Sequence, residues 1–290
     1  MASTASSACS TAAGLISLVR YPPRALRGRE PKSCPGTRTG LSRRFPSCKA
    51  VSDGGSPAPV YQGVYGPWTI EPADVREVIL YRSGLVTAAT SFVIASSATF
   101  LPESTLWREI IEKNLDLFYA LGTGGLGISL LLIHIYVTAI KRTLQALWVL
   151  GIAGSLATYA FLAQPSGENL VQYVLENPTT VWLVGPVFAS LTGLVFKEGL
   201  CYGKLEAGFL TFIIPTVVLG HLTGFMDDGT KTALLGTWMA LFVIFAGRKF
   251  TQPIKDDIGD KSVFIFNALP EEEKQALIEK LELQKMSENS

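Results

Sequence analysis

The chain has 290 residues, of which 48% are hydrophobic and only 17% charged, and its mean hydropathy is +0.31. Soluble domains carry roughly 25% charge, so this composition excludes an ordinary water-soluble globule of that length and points to a membrane. The net charge of +1 is the sum of two unlike segments.

Residues 1–50 hold Arg20, Arg24, Arg27, Arg29, Lys32, Arg38, Arg43, Arg44 and Lys49 against a single acid, Glu30. Taking that surplus of eight from the total of +1 leaves about −7 for the rest, so the body is mildly acidic and no nucleic-acid partner is expected. A basic, acid-poor leader rich in Ser, Thr and Pro has the composition of an organellar transit peptide. The apolar run Ala12 to Val19 has no basic residues ahead of it, which is the wrong order for a secretory signal. No Arg-lined amphipathic helix opens the chain, which favours plastid over mitochondrion, with cleavage near Ala50. Cys9, Cys34 and Cys48 lie in this leader, so Cys201 alone would remain, with neither an intramolecular disulfide nor a C-x-x-C metal site.

A Gly/Pro-rich segment, Asp53 to Pro59, follows, and residues 51–70 read as a flexible, interfacial stretch. Tyr61, Tyr65, Trp68 and Tyr81 are residue types of the aromatic belt. Pro72 after Glu71 suits the first turn of a helix. Val75, Val78 and Ile79 form an apolar stripe suited to the membrane surface before the first span.

Residues 71–250 read as a six-span membrane domain. The spans run approximately 84–101, 116–140, 144–163, 179–196, 207–222 and 230–247. Each is near the roughly 20 residues needed to cross about 30 Å of hydrocarbon and is apolar all round, unlike a surface helix with one polar face. Lys141, Arg142, Lys197, Lys204, Arg248 and Lys249 fall in joints on one side, with Arg76 and Arg82 ahead of span one. Glu168, Glu176, Asp227 and Asp228 mark the other side, where Arg108, Lys113 and Lys231 are diluted by acids. The positive-inside rule puts both termini together on the basic side, the stroma in a plastid.

Inside span two lies GTGGLGISLLLIHIY, in which Gly122, Gly124 and Gly127 spell G-x-G-x-x-G. A dinucleotide loop needs a preceding strand and an acid about 20 residues on; Lys141 and Arg142 come next and no acid appears before Glu168. An exposed loop would also leave backbone groups unsatisfied in lipid. Thr123/Gly127 and Gly125/Ser129 instead make small-x-x-x-small pairs, repeated by Gly151/Ser155 in span three, which let helices approach closely.

His134 and His221 are the only histidines, and an intramembrane ionisable residue is a functional candidate by default. On this span model His134 is four-fifths of the way across and His221 is at the far end. At 1.5 Å per residue their depths differ by about 15–20 Å, which disfavours one haem ligated by both. Either alone could ligate a chlorophyll or haem. The simpler expectation is a neutral imidazole hydrogen-bonded to a neighbouring helix, and no cofactor. FKEGLCYGKLE, Phe196 to Glu206, sets Lys197, Glu198, Lys204 and Glu206 around a tight turn. It reads either as a hairpin whose charges pair at the headgroups while its lysines snorkel, or as a polar gate with Glu198, Glu206 and His134 at similar depth. His221, Asp227 and Asp228 are metal-compatible residue types without a recognised ligand spacing. No catalytic constellation is present, so no enzyme is expected.

Residues 251–290 read as a soluble tail with a lightly amphipathic helix over about 270–285. Pro270 and the acids Glu271 to Glu273 start it, and Lys280 and Lys285 lie near its other end. Its stripe of Leu277, Ile278 and Leu281 suits docking to a partner.

The runs YQGVYGPWTIEPADVREVILYRSGL, VFKEGLCYGKLEA and LGHLTG, with the PEEEKQALIEKLE tail, resemble an uncharacterised family of integral membrane proteins of cyanobacteria and plastids. The resemblance covers about residues 60–285 and implies a plastid membrane, thylakoid or inner envelope, without bringing an activity or catalytic residues. The expected fold is an all-α bundle of six transmembrane helices. The expected function is that of an accessory factor for a larger photosynthetic complex, surrounded by lipid and reaching partners through its terminal helices. The alternative is a small-solute or ion transporter.

Overall fold

A computed structural model of the chain describes residues 59–288; the basic leader and most of the Gly/Pro-rich segment lie outside the described residues. The described chain opens with an antiparallel hairpin, β1 (Val60–Gln62) and β2 (Pro67–Thr69), in which Tyr61 faces Trp68. Gly66, with φ of 144°, closes its turn in a region that side chains rarely adopt.

Helix α1 (Pro72–Ser97) begins with a reciprocal cap between Glu71 and Asp74 and with Pro72 in its first turn. The stripe expected on the membrane surface and the first span are one unbroken helix. Its 26 residues run about 39 Å, longer than the hydrocarbon core, so its first turns stand clear of the apolar slab. Val78 on that stretch is fully buried rather than lying on lipid.

A 3-10 turn (Ala98–Phe100) and the short helix α2 (Leu106–Lys113) lead into α3 (Leu115–Leu132). The sequence suggests that span two runs to residue 140, but the helix stops at Leu132 and Ile133 is extended. Ile133, Ile135 and Val137 are β-branched and favour extended backbone, so an apolar run continues while its helix does not. The third span joins α4 (Thr138–Thr158), a π-helical turn (Tyr159–Ala163) and α5 (Gln164–Ser166). The wide turn precedes Pro165, which cannot complete the hydrogen-bond ladder.

The short α6 (Leu170–Glu176) is capped by Asn169, and the Asp116 carboxylate at the head of α3 accepts from the amides of Leu170 and Val171. Next come α7 (Val181–Tyr202), α8 (Leu205–Thr223) and α9 (Asp228–Arg248). Gly203 and Gly224, with φ of 61° and 68°, end α7 and α8 in left-handed turns. The tail forms α10 (Ile254–Ile258), α11 (Lys261–Ala268) and α12 (Glu271–Glu288).

Among the described residues, six helical segments are long and apolar enough to cross a membrane. They pack in the order α3, α1, α9, α8, α7, α4, and α4 returns to touch α3. Leu85, Leu126, Leu191, Leu194 and Phe242 fill the centre, while Leu131, Leu150, Phe161, Phe209 and Phe212 face outward, as a lipid-facing surface requires.

Small residues set the closest approaches. A side chain at Gly125 would run into the Gly84 carbonyl of α1, at 2.5 Å, and one at Gly151 would meet the Val187 amide of α7 at 2.5 Å. Ser129 donates to the Tyr81 carbonyl, and Trp148 lies over Gly127 while donating to the Thr123 carbonyl. Ser155 shares a hydrogen bond with Tyr119. Gly84, which makes the same small-x-x-x-small spacing with Ala88, is the counterpart of Gly125. Gly124 of the G-x-G-x-x-G run meets nothing within 4 Å.

Candidate functional site

An even number of spans brings the hairpin and the tail to one end of the bundle, here the near end. There the tail folds back. Ile258 packs with Trp68 and Val78, Lys261 binds Asp74 at 2.8 Å, and the Asp260 amide donates to Tyr136 Oη at 2.6 Å. Tyr65 stacks on Phe266. Trp68 and Tyr81 are therefore buried, not belt residues, because a polar cap covers them. The Lys261 ammonium is disfavoured by burial, but the hydrogen bonds it donates to Asp74 and Glu71 outweigh this and hold its pKa above the usual lysine value.

Beneath the cap lies a cluster of buried charges. Glu198, one turn from the end of α7, is fully buried. Its Oε2 accepts from Lys204 Nζ and Lys249 Nζ, both at 2.7 Å, and its Oε1 from Tyr81 Oη at 2.8 Å and Lys197 Nζ at 3.4 Å. Lys249, directly after α9, is 1% exposed and also reaches Asp257 Oδ1 at 2.5 Å. Asp257, on α10, accepts from Arg82 Nε at 2.6 Å and Gln252 Nε2 at 3.1 Å. One ammonium thus bridges two buried carboxylates from different segments, and every carboxylate oxygen has a donor. Such saturation is what makes buried charge tolerable.

The local sequence accounts for the geometry. Gly203 turns the chain so that Lys204 returns to Glu198, and the Gly199 and Gly208 backbones meet closely enough to shut the α7–α8 hairpin. Pro253 starts α10, and its carbonyl accepts from Arg82 at 3.0 Å. Burial pushes the Lys204 ammonium below the ordinary lysine range, against the pull of Glu198.

The four polar candidates do not gather in one place. Glu198 is at the centre of the cluster. Glu206 forms a separate pair with Arg248, whose Nη1 contacts both oxygens at 2.8 Å. His134 lies in the joint after α3 rather than inside a span, with Nε2 3.6 Å from Glu77 and its ring edge-on to Phe264. His221 is at the opposite end, where Nε2 meets the Val174 carbonyl of α6 at 3.1 Å. Asp227 caps α9, and its hydrogen bonds from Thr230 lower its pKa. Among the described residues no three His, Cys, Asp or Glu side chains gather as metal ligands would.

Gln252 and Asp257 carry no signal in the sequence, while Tyr81 reads there only as a belt residue and Arg82 only as a base ahead of the first span. All four lie far along the chain from Glu198.

His134 gives a pH prediction. Burial holds its pKa below the usual 6.5, against Glu77, which pulls it up. The fold therefore prefers the neutral ring: its stabilising effect is complete above pH 6.5 and is lost as pH falls through the lowered folded value. Thermal unfolding of solubilised protein at pH 7.5 and 5.5 should show a loss on acidification that His134→Gln reduces. An equal loss in both proteins contradicts the assignment.

Residues 128–266, just under half of the chain, match the model of a family described as uncharacterized integral membrane protein (DUF2301). The match begins within α3 and takes in the α7–α8 hairpin, α9, α10 and Asp257, but not Tyr81 or Arg82. No curated protein and no solved structure matches the chain. Six apolar helical spans, together with likeness to that family, make the protein a multi-pass, all-α integral membrane protein.

Proposed function

We propose that the protein is a non-enzymatic accessory factor of a plastid membrane, supporting the assembly or stability of a photosynthetic complex through α12. The observation that carries this reading is α12 itself: 18 residues of helix at the end of a firmly anchored cap. None of its residues from Glu271 to Ser287 is buried, and Ile278 and Leu283 are 41% and 57% exposed. The acid-poor leader supports the plastid. Lys141, Arg142 and Arg248, solvent-side bases at the near end, support a stromal position for both termini.

The transport alternative rests on Glu198, Glu206, His134 and His221. Glu198 and Glu206 are both engaged in ion pairs and the centre between the two ends is apolar, which supports a lock rather than a solute path.

Deleting residues 270–290 should release a partner in affinity purification from mildly solubilised plastid membranes while leaving membrane insertion and abundance intact. An unchanged set of co-purifying proteins contradicts the docking role.

A further inference from the structure

The end of the bundle opposite the ionic cluster holds a cavity of about 530 Å³. Helices α1, α3, α7, α8 and α9 all contribute to its wall, and α6 lies across it. This volume falls in the range of roughly 300–1,000 Å³ that encloses one small organic molecule. The wall is aromatic and aliphatic, including Tyr119, Phe188, Val184, Ile214 and Trp238.

Three polar features define what would fit. Trp238 is 7% exposed, and its indole N–H has no hydrogen-bond partner among the described residues. This N–H is not sealed in the packing, since among the described residues Glu168 Oε2 alone is a buried side-chain polar atom without a partner. It lies ten residues into α9 from Asp228, about 15 Å below the mouth. At the rim His221 Nε2 lies 3.1 Å from the Val174 carbonyl, which can only accept, so Nε2 is the donor. Lys231 is paired with Asp228 at 3.2 Å. The lysine at the rim is therefore already paired, and the depth offers one unused donor among flat aromatic walls.

We infer that this cavity binds a neutral quinone-class molecule, a planar ring with apolar substituents whose carbonyl oxygen accepts from the Trp238 indole N–H. Rings of Tyr119, Phe188 and Trp238 favour a planar occupant over a saturated lipid chain, and a rim whose lysine is already paired with Asp228 disfavours an ionic head. The site is independent of α12 and of the docking reading, so deleting the tail leaves it unchanged.

The test uses full-length protein in phosphatidylcholine nanodiscs titrated with decyl-1,4-benzoquinone, read as a rise in unfolding temperature. The expected result is a saturable rise. Trp238→Phe keeps the packing against Phe242 but removes one neutral hydrogen bond, so half-saturation should move to about fivefold higher quinone. Gly185→Leu fills the cavity from α7, where an added Cβ meets only ordinary contacts at 3.4 Å and beyond, and should abolish the rise. Decylbenzene, which lacks carbonyls, should bind the wild type about as weakly as the quinone binds Trp238→Phe. If Gly185→Leu does not fold, the Trp238→Phe comparison decides. No saturable rise with folded wild-type protein overturns the proposal, as does an equal response in Trp238→Phe. A phospholipid that co-purifies and is not displaced by the quinone overturns it in favour of a lipid occupant.

Discussion

Replacing Lys249 by methionine should cost about 3–5 kcal/mol of folding stability, the usual consequence of removing one partner from a buried ion pair. Methionine approximates the length of the lysine stem, so packing is nearly kept and the loss isolates the charge. Without the ammonium, Glu198 and Asp257 face each other with one donor fewer each, in a place that water does not reach. Thermal or denaturant unfolding in detergent measures the cost. Glu198 keeps Lys197 and Lys204, and Asp257 keeps Arg82, so adding Glu198→Gln and Asp257→Asn strands these cations and should make the triple variant less stable still. A triple variant no less stable than Lys249→Met would show that the cluster does not act as an electrostatic unit.

The second large effect concerns the α1–α3 interface. A Cβ at Gly125 would come within 2.5 Å of the Gly84 carbonyl, a backbone atom that cannot rotate aside. Gly125→Val should therefore cost about 3 kcal/mol, at the upper end for overpacking, and lower the amount of folded protein recovered from membranes. Gly124, one residue away, provides the control. Nothing lies within 4 Å of the Cβ it would carry, so Gly124→Ala should be neutral or stabilise by at most about 1 kcal/mol. Equal effects at the two positions would mean that glycine composition, not close approach to α1, governs this span.

The contrast between Gly124 and Gly125 also shows where sequence patterns stop. Spacing separates packing glycines from a nucleotide loop, because lipid forbids unsatisfied backbone and the required acid is missing. The number of spans is also readable, since each apolar run must cover the bilayer. The end of span two is not. Hydropathy counts Ile133, Ile135 and Val137 as apolar, whereas their branching and the Tyr136–Asp260 contact decide that the chain turns there. That difference moved His134 from a membrane depth to a joint beside Glu77.

The cluster itself was half visible. Lys197, Glu198 and Lys204 attract attention because charges close to an apolar span are costly. Asp257 does not, because an acid in a polar tail is unremarkable until the tail folds back over the bundle. Tyr81 has the residue type of an interfacial anchor, and its role as a donor to Glu198 depends on a contact across 117 positions. The empty space beside Trp238 has no sequence signature, since a cavity depends on what several helices fail to fill.

The most direct test of the central claim, that this is an accessory component of a larger membrane complex, is a native separation of mildly solubilised plastid membranes that follows the tagged full-length protein. The account predicts migration with a photosynthetic complex or one of its assembly intermediates, and loss of that migration when residues 270–290 are removed. Migration as a monomer or small homo-oligomer, unchanged by the deletion, would contradict it.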